Sequence, residues 1–295
     1  MNKIALKFLH LLDPETAHSI AIRILILNSR KKFSFHSERL KTSIAGFELA
    51  HPLGISAGFD KNAQVIHAAF NYGASFTEVG AVTPLPQKGN TKPRIFRLRE
   101  DLGLINRLGF NNRGIDEIVS RLKIRHSNGI VGINIGANKD SNNKIEDYLK
   151  VMDKCSDYVD FATINISSPN TPNLRRLQNS DALKNLLSAV TDKNKSFLKP
   201  MKIFLKINPD LSINQLASVT ETALKFKLDG LIATNTSVSR QNIRSVNKHE
   251  GGGLSGKPLF SLSTKKLAQI FDISCGKIPL IGVGGINSAE DAYMK

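Results

Sequence analysis

The segment Phe161–Pro172, with the sequence FATINISSPNTP, changes character halfway along its length. Its first half is apolar and β-prone, which is typical of a buried parallel strand. Its second half is polar and contains Pro169 and Pro172, whose rings restrict the loop and reduce the entropy lost on ordering it. The segment therefore predicts a buried strand that ends in a loop of functional side chains. The alternative is an ordinary strand-to-loop turn rich in turn-forming residues.

Three polar side chains stand within six positions of this segment, namely Asn165, Ser168 and Asn170. An asparagine amide offers both hydrogen-bond donors and an acceptor. That combination suits a planar ligand whose edge alternates carbonyl and N–H groups.

From about residue 44 the chain repeats a pattern of strand, loop and helix, interrupted by a long insertion within residues 83–129. The predicted strands are Ile55–Phe59, Phe76–Val82, Ile130–Ile135, Phe161–Ile166, Ile203–Ile207, Leu231–Thr234 and Ile278–Val283. The predicted helices are Ala63–Tyr72, Asn112–Lys123, Ile145–Cys155, Ala182–Val190, Ile213–Phe226, Ser261–Phe271 and one that begins at Ala289. Seven units of this kind favour an α/β fold, a (β/α)₈ TIM barrel that lacks its last unit. A doubly wound open sheet is the alternative.

The predicted strands end in polar or glycine residues, which favours the barrel. Lys61, Asn134, Asn165, Lys206, Asn235 and Gly285 stand at or just after these ends. In a barrel the carboxyl ends of all strands meet at one opening. We therefore expect these residues to converge there. An eighth strand, needed to close the barrel, would lie beyond Lys295, so two sheet edges are expected to be open.

The N-terminal region has a different pattern, which predicts two short amphipathic helices. Asp13 is a suitable N-cap, with Pro14 at the first helical position. Apolar residues at helical spacing with Lys and Arg at the rim suit a membrane surface, whereas a hairpin packed on the main domain is the alternative. Two regions are thus predicted, a helical hairpin over residues 1–40 and a barrel over residues 41–295.

Composition limits the possible partners. The 295 residues contain 41 Lys and Arg against 25 Asp and Glu, a net charge of +16, so partners are expected to be anionic. Trp is absent and basic clusters interleaved with aromatics are lacking, so no nucleic-acid partner is expected. Cys155 and Cys275 are far apart, which predicts neither a disulfide nor a metal site. No apolar run reaches the ~18 residues that span a bilayer.

Eight motifs occur in an order that resembles the dihydroorotate dehydrogenase family, in its quinone-dependent, membrane-associated form. The motifs begin at Ala57, Asn106, Gly132, Asn165, Lys206, Ala233, Gly252 and Gly282, and read AGFDK, NRLGFNN, GINIG, NISSPNT, KINPD, ATNT, GGLSG and GVGGI. The resemblance implies oxidation of dihydroorotate to orotate in pyrimidine synthesis, with bound FMN as hydride acceptor and a quinone as the final oxidant.

The resemblance also implies roles for individual residues. Ser168 matches the family's catalytic base, and Lys61 matches a lysine close to both flavin and substrate. A serine acts as a base only in a dry, hydrogen-bonded site, so a covered pocket is expected. The residues implied in substrate binding are Lys61, Asn106, Arg107, Leu108, Gly109, Phe110, Asn165, Asn170, Asn235 and Thr236.

The residues implied in FMN binding are Ala57, Gly58, Phe59, Asp60, Lys61, Ala81, Asn134, Asn165, Lys206, Thr234, Gly256 and Gly285. Lys206 matches the cation that stabilises the reduced flavin. Gly256 and Gly285 match phosphate-binding loops. Ala81 departs from the family, which often has Ser or Thr there, and the family's last phosphate contact would lie beyond Lys295.

His18 and Arg97 match residues that line the family's quinone tunnel, which makes the membrane reading of the N-terminal hairpin the favoured one. The resemblance therefore implies a peripheral, monomeric protein on the cytoplasmic side of a bacterial cell membrane, in contact with anionic lipid. Two other functions stay open: a truncated, non-catalytic relative with an unclosed barrel, and a phosphate-binding barrel that acts on another substrate.

Overall fold

A computed structural model describes residues 8–28, 37–124, 129–167 and 180–295. The strands are β1 Thr42–Ile44, β2 Phe47–Leu49, β3 Gly54–Ile55, β4 Phe76–Val82, β5 Ile95–Leu98, β6 Gly103–Asn106, β7 Ile130–Ile135, β8 Phe161–Asn165, β9 Lys202–Lys206, β10 Gly230–Ala233, β11 Gly253–Gly256 and β12 Leu280–Gly282. The helices are α1 Pro14–Leu27, α2 Ile66–Asn71, α3 Ile115–Lys123, α4 Lys144–Cys155, α5 Ser180–Lys195, α6 Ile213–Lys225, α7 Phe260–Ser274 and α8 Ala289–Met294.

Seven parallel strands form the central sheet, in the order β3, β4, β7, β8, β9, β10, β12. The spatial order follows the chain order, with a helix after each strand, which is the arrangement of a TIM barrel. In the described part of the chain, β3 and β12 are the two edge strands and do not pair with each other. The predicted barrel of seven units is therefore confirmed.

The two faces of the sheet bury different side chains because successive residues of a strand point to opposite faces. The inner face carries an aromatic layer at the amino ends of the strands, where the rings of Phe161 and Phe204 lie 5.4 Å apart. The outer face packs against the helices in the main core, which contains Ile164 and Leu205. The amino end of the barrel thus carries apolar side chains, and the carboxyl end is left for polar groups.

The hairpin β1–β2 and the sheet of β5, β6 and β11 were not predicted. The hairpin brings Phe47 to 6.3 Å from the ring of Phe161, so it packs on the apolar end of the barrel. The second sheet pairs β6 antiparallel with both β5 and β11. The insertion predicted within residues 83–129 therefore contains the strands β5 and β6.

Several predicted boundaries were wrong. The strand predicted to extend to Phe59 ends at Ile55, and the helix predicted from Ala63 begins at Ile66. The intervening residues are held in a turn by the carboxylate of Asp60, which accepts hydrogen bonds from the backbone N–H groups of Gln64 and Val65 at 2.9 and 2.8 Å. Side chains that satisfy backbone donors in this way favour turns over regular structure.

The N-terminal region contains a helical turn over residues 8–11 followed by α1. Asp13 caps α1, as predicted, by accepting the N–H groups of Glu15 and Thr16, each at 3.0 Å. One side of α1 packs on the barrel, where Ile22 joins a small apolar cluster with Val65. Within the described residues no helix combines the length and the apolar character needed to cross a bilayer.

Candidate active site

A cavity of about 1650 Å³ runs along the inside of the sheet, from the carboxyl ends of the parallel strands to the hairpin β1–β2 and the edge strand β12. The predicted site residues that line it are His18, Ala57, Gly58, Phe59, Lys61, Ala81, Arg97, Asn106, Leu108, Gly109, Phe110, Asn134, Asn165, Lys206, Thr234, Asn235, Thr236, Gly256 and Gly285. These residues come from many separate parts of the chain. The expectation that the strand ends converge on one opening is therefore met.

The strand register explains why the polar side chains meet. Asn165 and Phe161 share the inner face of β8, and Lys206 and Phe204 share the inner face of β9. The register places Asn165 opposite Lys206. On this face each of the two strands therefore carries an aromatic residue followed by a polar residue at its carboxyl end.

Three asparagines form a chain of hydrogen bonds across the cavity wall. The side-chain N–H₂ group of Asn165 donates to the amide oxygen of Asn134 at 2.8 Å, and that of Asn235 donates to the amide oxygen of Asn165 at 3.1 Å. Asn235 also donates to the hydroxyl of Ser167 at 2.9 Å. Asn134 and Asn165 are buried, so these bonds are needed to offset their desolvation.

A buried carboxylate, which the sequence reasoning missed, ends this chain. Glu78 Oε1 accepts from the N–H₂ group of Asn134 at 2.7 Å, and its Oε2 accepts from the backbone N–H of Ala57 at 3.0 Å. Glu78 Oε2 also lies 3.8 Å from Nζ of Lys206. The sequence signal was present, because a charged residue in the middle of the otherwise apolar β4 must have buried partners.

Lys61 lies at the rim of the cavity with its Nζ donating to the carbonyl oxygen of Gly58 at 2.8 Å. Burial lowers the pKa of Lys61 below its usual value, and the charge of Arg94 lowers it further, while Glu15 and Asp60 oppose the shift. A partly desolvated cation at this position can attract the carboxylate of a ligand more strongly than a lysine in water.

Two glycines form a cradle that a larger residue would fill. A Cβ atom on Gly285 would lie 2.5 Å from the backbone nitrogen of Phe260, the first residue of α7, and one on Gly256 would lie 2.6 Å from the carbonyl oxygen of Leu102. Both glycines have positive φ angles, +78° for Gly285 and +87° for Gly256. Close backbone approach at a helix N-terminus favours binding of a phosphate group.

The second sheet carries predicted substrate contacts to the same cavity. Asn106 ends β6, and its side-chain N–H₂ group donates to the carbonyl oxygen of Gly253 in β11 at 3.4 Å. Gly256, at the end of β11, pairs with Gly103 at the start of β6. The sheet therefore joins the predicted substrate residues to the predicted phosphate loop.

Two predicted site residues are placed elsewhere. The Asp60 carboxylate is buried in the turn before α2 and is not among the cavity-lining residues. Arg107 donates to the carboxylate of Glu250 at 2.6 Å, and its guanidinium lies 4.4 Å from the centre of the Phe96 ring. Ser168 and Asn170 lie outside the described residues.

His18 and Arg97 connect the N-terminal helices to the cavity. Nε2 of His18 donates to the carbonyl oxygen of Phe59 at 2.8 Å, and the two rings meet edge to face at 5.6 Å. Burial lowers the pKa of His18 below its usual value, and the charge of Lys61 adds to the shift. Arg97 donates to the carbonyl oxygen of Leu12 at 2.6 Å.

Ala81 lines the cavity near the end of β4. Its methyl group carries no hydrogen-bonding atom, so the side chain can offer a ligand only apolar contact. Any polar contact at this position has to come from the backbone.

A comparison with protein families matches residues 39–295 to the model described as dihydroorotate dehydrogenase. A dihydroorotate dehydrogenase (quinone) from Cereibacter sphaeroides is 46% identical over 297 residues, covering 100% of this chain and 84% of the relative. One from Agrobacterium fabrum is 46% identical over 306 residues, covering 100% and 83%. One from Shewanella halifaxensis is 45% identical over 304 residues, covering 99% and 90%.

Two crystal structures of DHODH from Eimeria tenella are also similar to this chain. The complex with ferulenol superposes with a TM-score of 0.91 at 36% identity, covering 96% of this chain and 82% of that one. The ligand-free form gives the same TM-score and identity, covering 96% and 86%.

Proposed function

The chain belongs to the dihydroorotate dehydrogenase family, and from this premise we propose how its cavity performs the family's reaction. The chain oxidises dihydroorotate to orotate in pyrimidine biosynthesis, with a quinone as electron acceptor. The observation that carries this conclusion is the similarity to quinone-dependent enzymes over the whole chain. A non-catalytic relative or a barrel for another substrate is not favoured.

We propose FMN as the flavin of this site. The cradle of Gly256 and Gly285 suits its phosphate, and Lys206, Asn134 and Thr234 suit its ring, because they are polar groups on one cavity wall. A bound flavin supplies the two-electron acceptor for the oxidation and the relay to the quinone. Lys206 contributes a buried positive charge beside the ring site.

The substrate ring is proposed to bind to Asn106, Asn165 and Asn235. Their amides can pair with the ring carbonyl and N–H groups, and such a site rejects analogues that leave a buried amide without a partner. Lys61 is proposed to hold the substrate carboxylate, because its charge is partly desolvated at the rim of the same cavity.

Ser168 is proposed to take the proton that leaves the carbon next to a substrate carbonyl. Support comes from its chain neighbour, because the Ser167 hydroxyl accepts a hydrogen bond from Asn235 at 2.9 Å. The segment that leads to Ser168 is therefore tied to the proposed substrate amides. A hydroxyl acts as a base only when a neighbouring group or water accepts its proton in turn.

The quinone is proposed to reach the flavin between the N-terminal helices and the barrel, along His18 and Arg97. The exposed apolar side chains of Phe8, Leu11 and Leu27 support peripheral contact with a membrane surface. The net charge of +16 favours an anionic lipid surface. We propose a monomer on the cytoplasmic side of the bacterial cell membrane.

The decisive experiment follows the flavin spectrum of the purified chain. We expect FMN absorbance that bleaches on addition of dihydroorotate and returns on addition of a quinone. The variant Ser168→Ala should retain FMN but bleach at least 100-fold more slowly, as expected for loss of a general base. An FMN-loaded chain that dihydroorotate does not bleach would contradict the proposal.

A further inference from the structure

Glu78 is a buried charged residue that the proposed mechanism leaves without a role. It is the third residue of β4 and is only 3% exposed. Its two oxygens contact two proposed flavin-binding groups, the side chain of Asn134 and the backbone N–H of Ala57. A carboxylate in such a position is costly to bury and persists only with close partners.

An ionised carboxylate can only accept hydrogen bonds, whereas an asparagine amide can face either way. Glu78 therefore requires Asn134 to present its N–H₂ group, which turns the amide oxygen of Asn134 toward the N–H₂ group of Asn165. The amide oxygen of Asn165 is in turn available to Asn235. One fixed acceptor thus sets the direction of three consecutive amides.

The direction of the amide chain determines what the wall offers to a ligand. Each N–H₂ group carries two hydrogens. Asn134 uses one of them in its hydrogen bond to Glu78, and Asn165 uses one in its hydrogen bond to Asn134. The second hydrogen of each is left for a ligand carbonyl oxygen. Reversal of the chain would present acceptors in place of donors.

Glu78 also affects the charge of the site. Its Oε2 lies 3.8 Å from Nζ of Lys206, and the two side chains are 4% and 7% exposed. Opposite charges at this distance interact strongly away from water. The carboxylate therefore offsets part of the positive potential that Lys206 would otherwise impose on a flavin ring.

We propose that Glu78 is a positioning residue of this site, which sets the direction of the Asn134–Asn165–Asn235 amide chain and offsets the charge of Lys206. It thereby holds the flavin at a lower reduction potential than Lys206 alone would give. This inference rests on the proposed function, since it concerns the flavin and the substrate of that cavity.

The test compares the wild-type chain with Glu78→Gln, which has nearly the same shape but no charge. We expect the variant to bind reduced flavin about tenfold more tightly relative to oxidised flavin, a rise in midpoint potential of about 30 mV for a two-electron couple. We also expect the KM for dihydroorotate to rise about tenfold, because the amides lose their fixed direction. A wild-type potential together with a wild-type KM would overturn the inference.

Asp229→Asn is the matched control, because Asp229 contacts the first residues of β9 and Glu78 contacts its last residue. Asp229 accepts the backbone N–H of Ile203 at 2.8 Å and pairs with Lys202 at 2.9 Å, so it repeats the contacts of Glu78 at the opposite end of β9. Its substitution should leave the potential and the KM unchanged. Equal shifts in both variants would reduce Glu78 to a structural role and overturn the inference.

Glu78→Asp provides a second test that applies even if Glu78→Gln does not fold. Glu78→Asp keeps the charge but shortens the side chain, so the potential should stay near the wild-type value while the KM rises. A potential that rises as far as expected for Glu78→Gln, or a KM that does not change, would overturn the inference.

The wild-type chain separates this inference from the proposed function. A wild-type chain that holds no flavin contradicts the proposed function, and the inference is then tested on flavin-free protein by the side-chain N–H₂ resonances of Asn134 and Asn165. These resonances should move in Glu78→Gln and stay in place in Asp229→Asn. Resonances that do not move in Glu78→Gln would overturn the inference.

Discussion

The guanidinium of Arg94 donates two hydrogen bonds to the carboxylate of Glu15, at 2.7 Å from Nη2 and 3.1 Å from Nε. Glu15 lies in the first turn of α1, and Arg94 lies just before β5. The third nitrogen of Arg94 donates to the carbonyl oxygens of Lys88 and Asn90 at 2.7 and 2.8 Å. One side chain therefore joins the N-terminal helix to the loop that contacts the proposed substrate residues.

Substitution of Glu15 should destabilise the protein. Glu15→Ala leaves the guanidinium of Arg94, whose side chain is 7% exposed, without its anionic partner. Removal of one partner of a buried pair costs ~3–5 kcal/mol, and we expect about 2–3 kcal/mol here, because the Glu15 side chain is 20% exposed. Urea unfolding measures this change in the free energy of unfolding.

Glu38→Ala is the control for this substitution. It removes a pair with Lys41 in which the two side chains are 70% and 53% exposed, and such pairs contribute ~0–1 kcal/mol. Equal losses of stability in Glu15→Ala and Glu38→Ala would contradict the prediction.

Acidification should weaken the protein through His18. Burial, aided by the charge of Lys61, lowers the pKa of His18 in the folded state below the usual 6.5. The unfolded chain therefore binds a proton at a higher pH than the folded chain does, and stability falls as the pH decreases through 6.5 toward the lower folded pKa. Thermal unfolding between pH 5 and pH 8 measures the effect.

The same series on His18→Asn isolates the contribution of this one group, because asparagine does not titrate. The loss of unfolding temperature toward low pH should be smaller in His18→Asn than in the wild-type chain. Identical pH profiles for the two proteins would show that another group is responsible.

Lys61→Met should impair the first half-reaction. The substitution keeps the apolar stem but removes the charge proposed to bind the substrate carboxylate. Loss of one such electrostatic contact lowers a rate ~10²–10³-fold. We expect a loss of this size in the rate of flavin reduction divided by the KM for dihydroorotate. Stopped-flow absorbance measures this ratio. Lys202→Met, which removes a lysine at the opposite end of the barrel, should leave the ratio unchanged, and a comparable loss there would contradict the assignment.

Gly285→Ala should release FMN. Its Cβ would lie 2.5 Å from the backbone nitrogen of Phe260, and the φ of +78° is unfavourable for alanine. We expect the dissociation constant of FMN to rise at least tenfold, measured by the change of flavin fluorescence on binding. Gly251→Ala is the matched control, because a Cβ there would meet no atom within 4 Å. A wild-type affinity in Gly285→Ala would show that this turn does not hold the phosphate.

The sequence allowed prediction of the seven strands and of the convergence of their polar ends. Both follow from local pattern: the strands are continuous apolar runs, and the parallel arrangement brings Asn134, Asn165 and Lys206 to one opening. Pairing of β6 with β11 was not predictable in this way. Asn106 and Gly253 are 147 positions apart, and only the folded chain brings them together.

Motif matching also gave no information on side-chain direction. Asp60 and Arg107 belong to matching motifs, yet the carboxylate of one satisfies a turn and the guanidinium of the other pairs with Glu250. Glu78 was missed for the converse reason, because it belongs to no quoted motif. Its place in the apolar β4 indicated a buried charge, but its partners Asn134, Ala57 and Lys206 become evident only in three dimensions.

Arg97 of β5 and Arg99, which follows the strand, hold the first helical turn by its main chain. Arg97 donates to the carbonyl oxygens of Leu9, His10 and Leu12, and Arg99 donates to that of His10. Every residue type carries a carbonyl oxygen, so this attachment does not depend on which side chains occupy positions 9, 10 and 12. The side chains of the proposed quinone entrance can thus diverge in evolution while its attachment to the barrel persists. An inhibitor of the proposed entrance would then contact side chains that differ between species, held by the same backbone attachment.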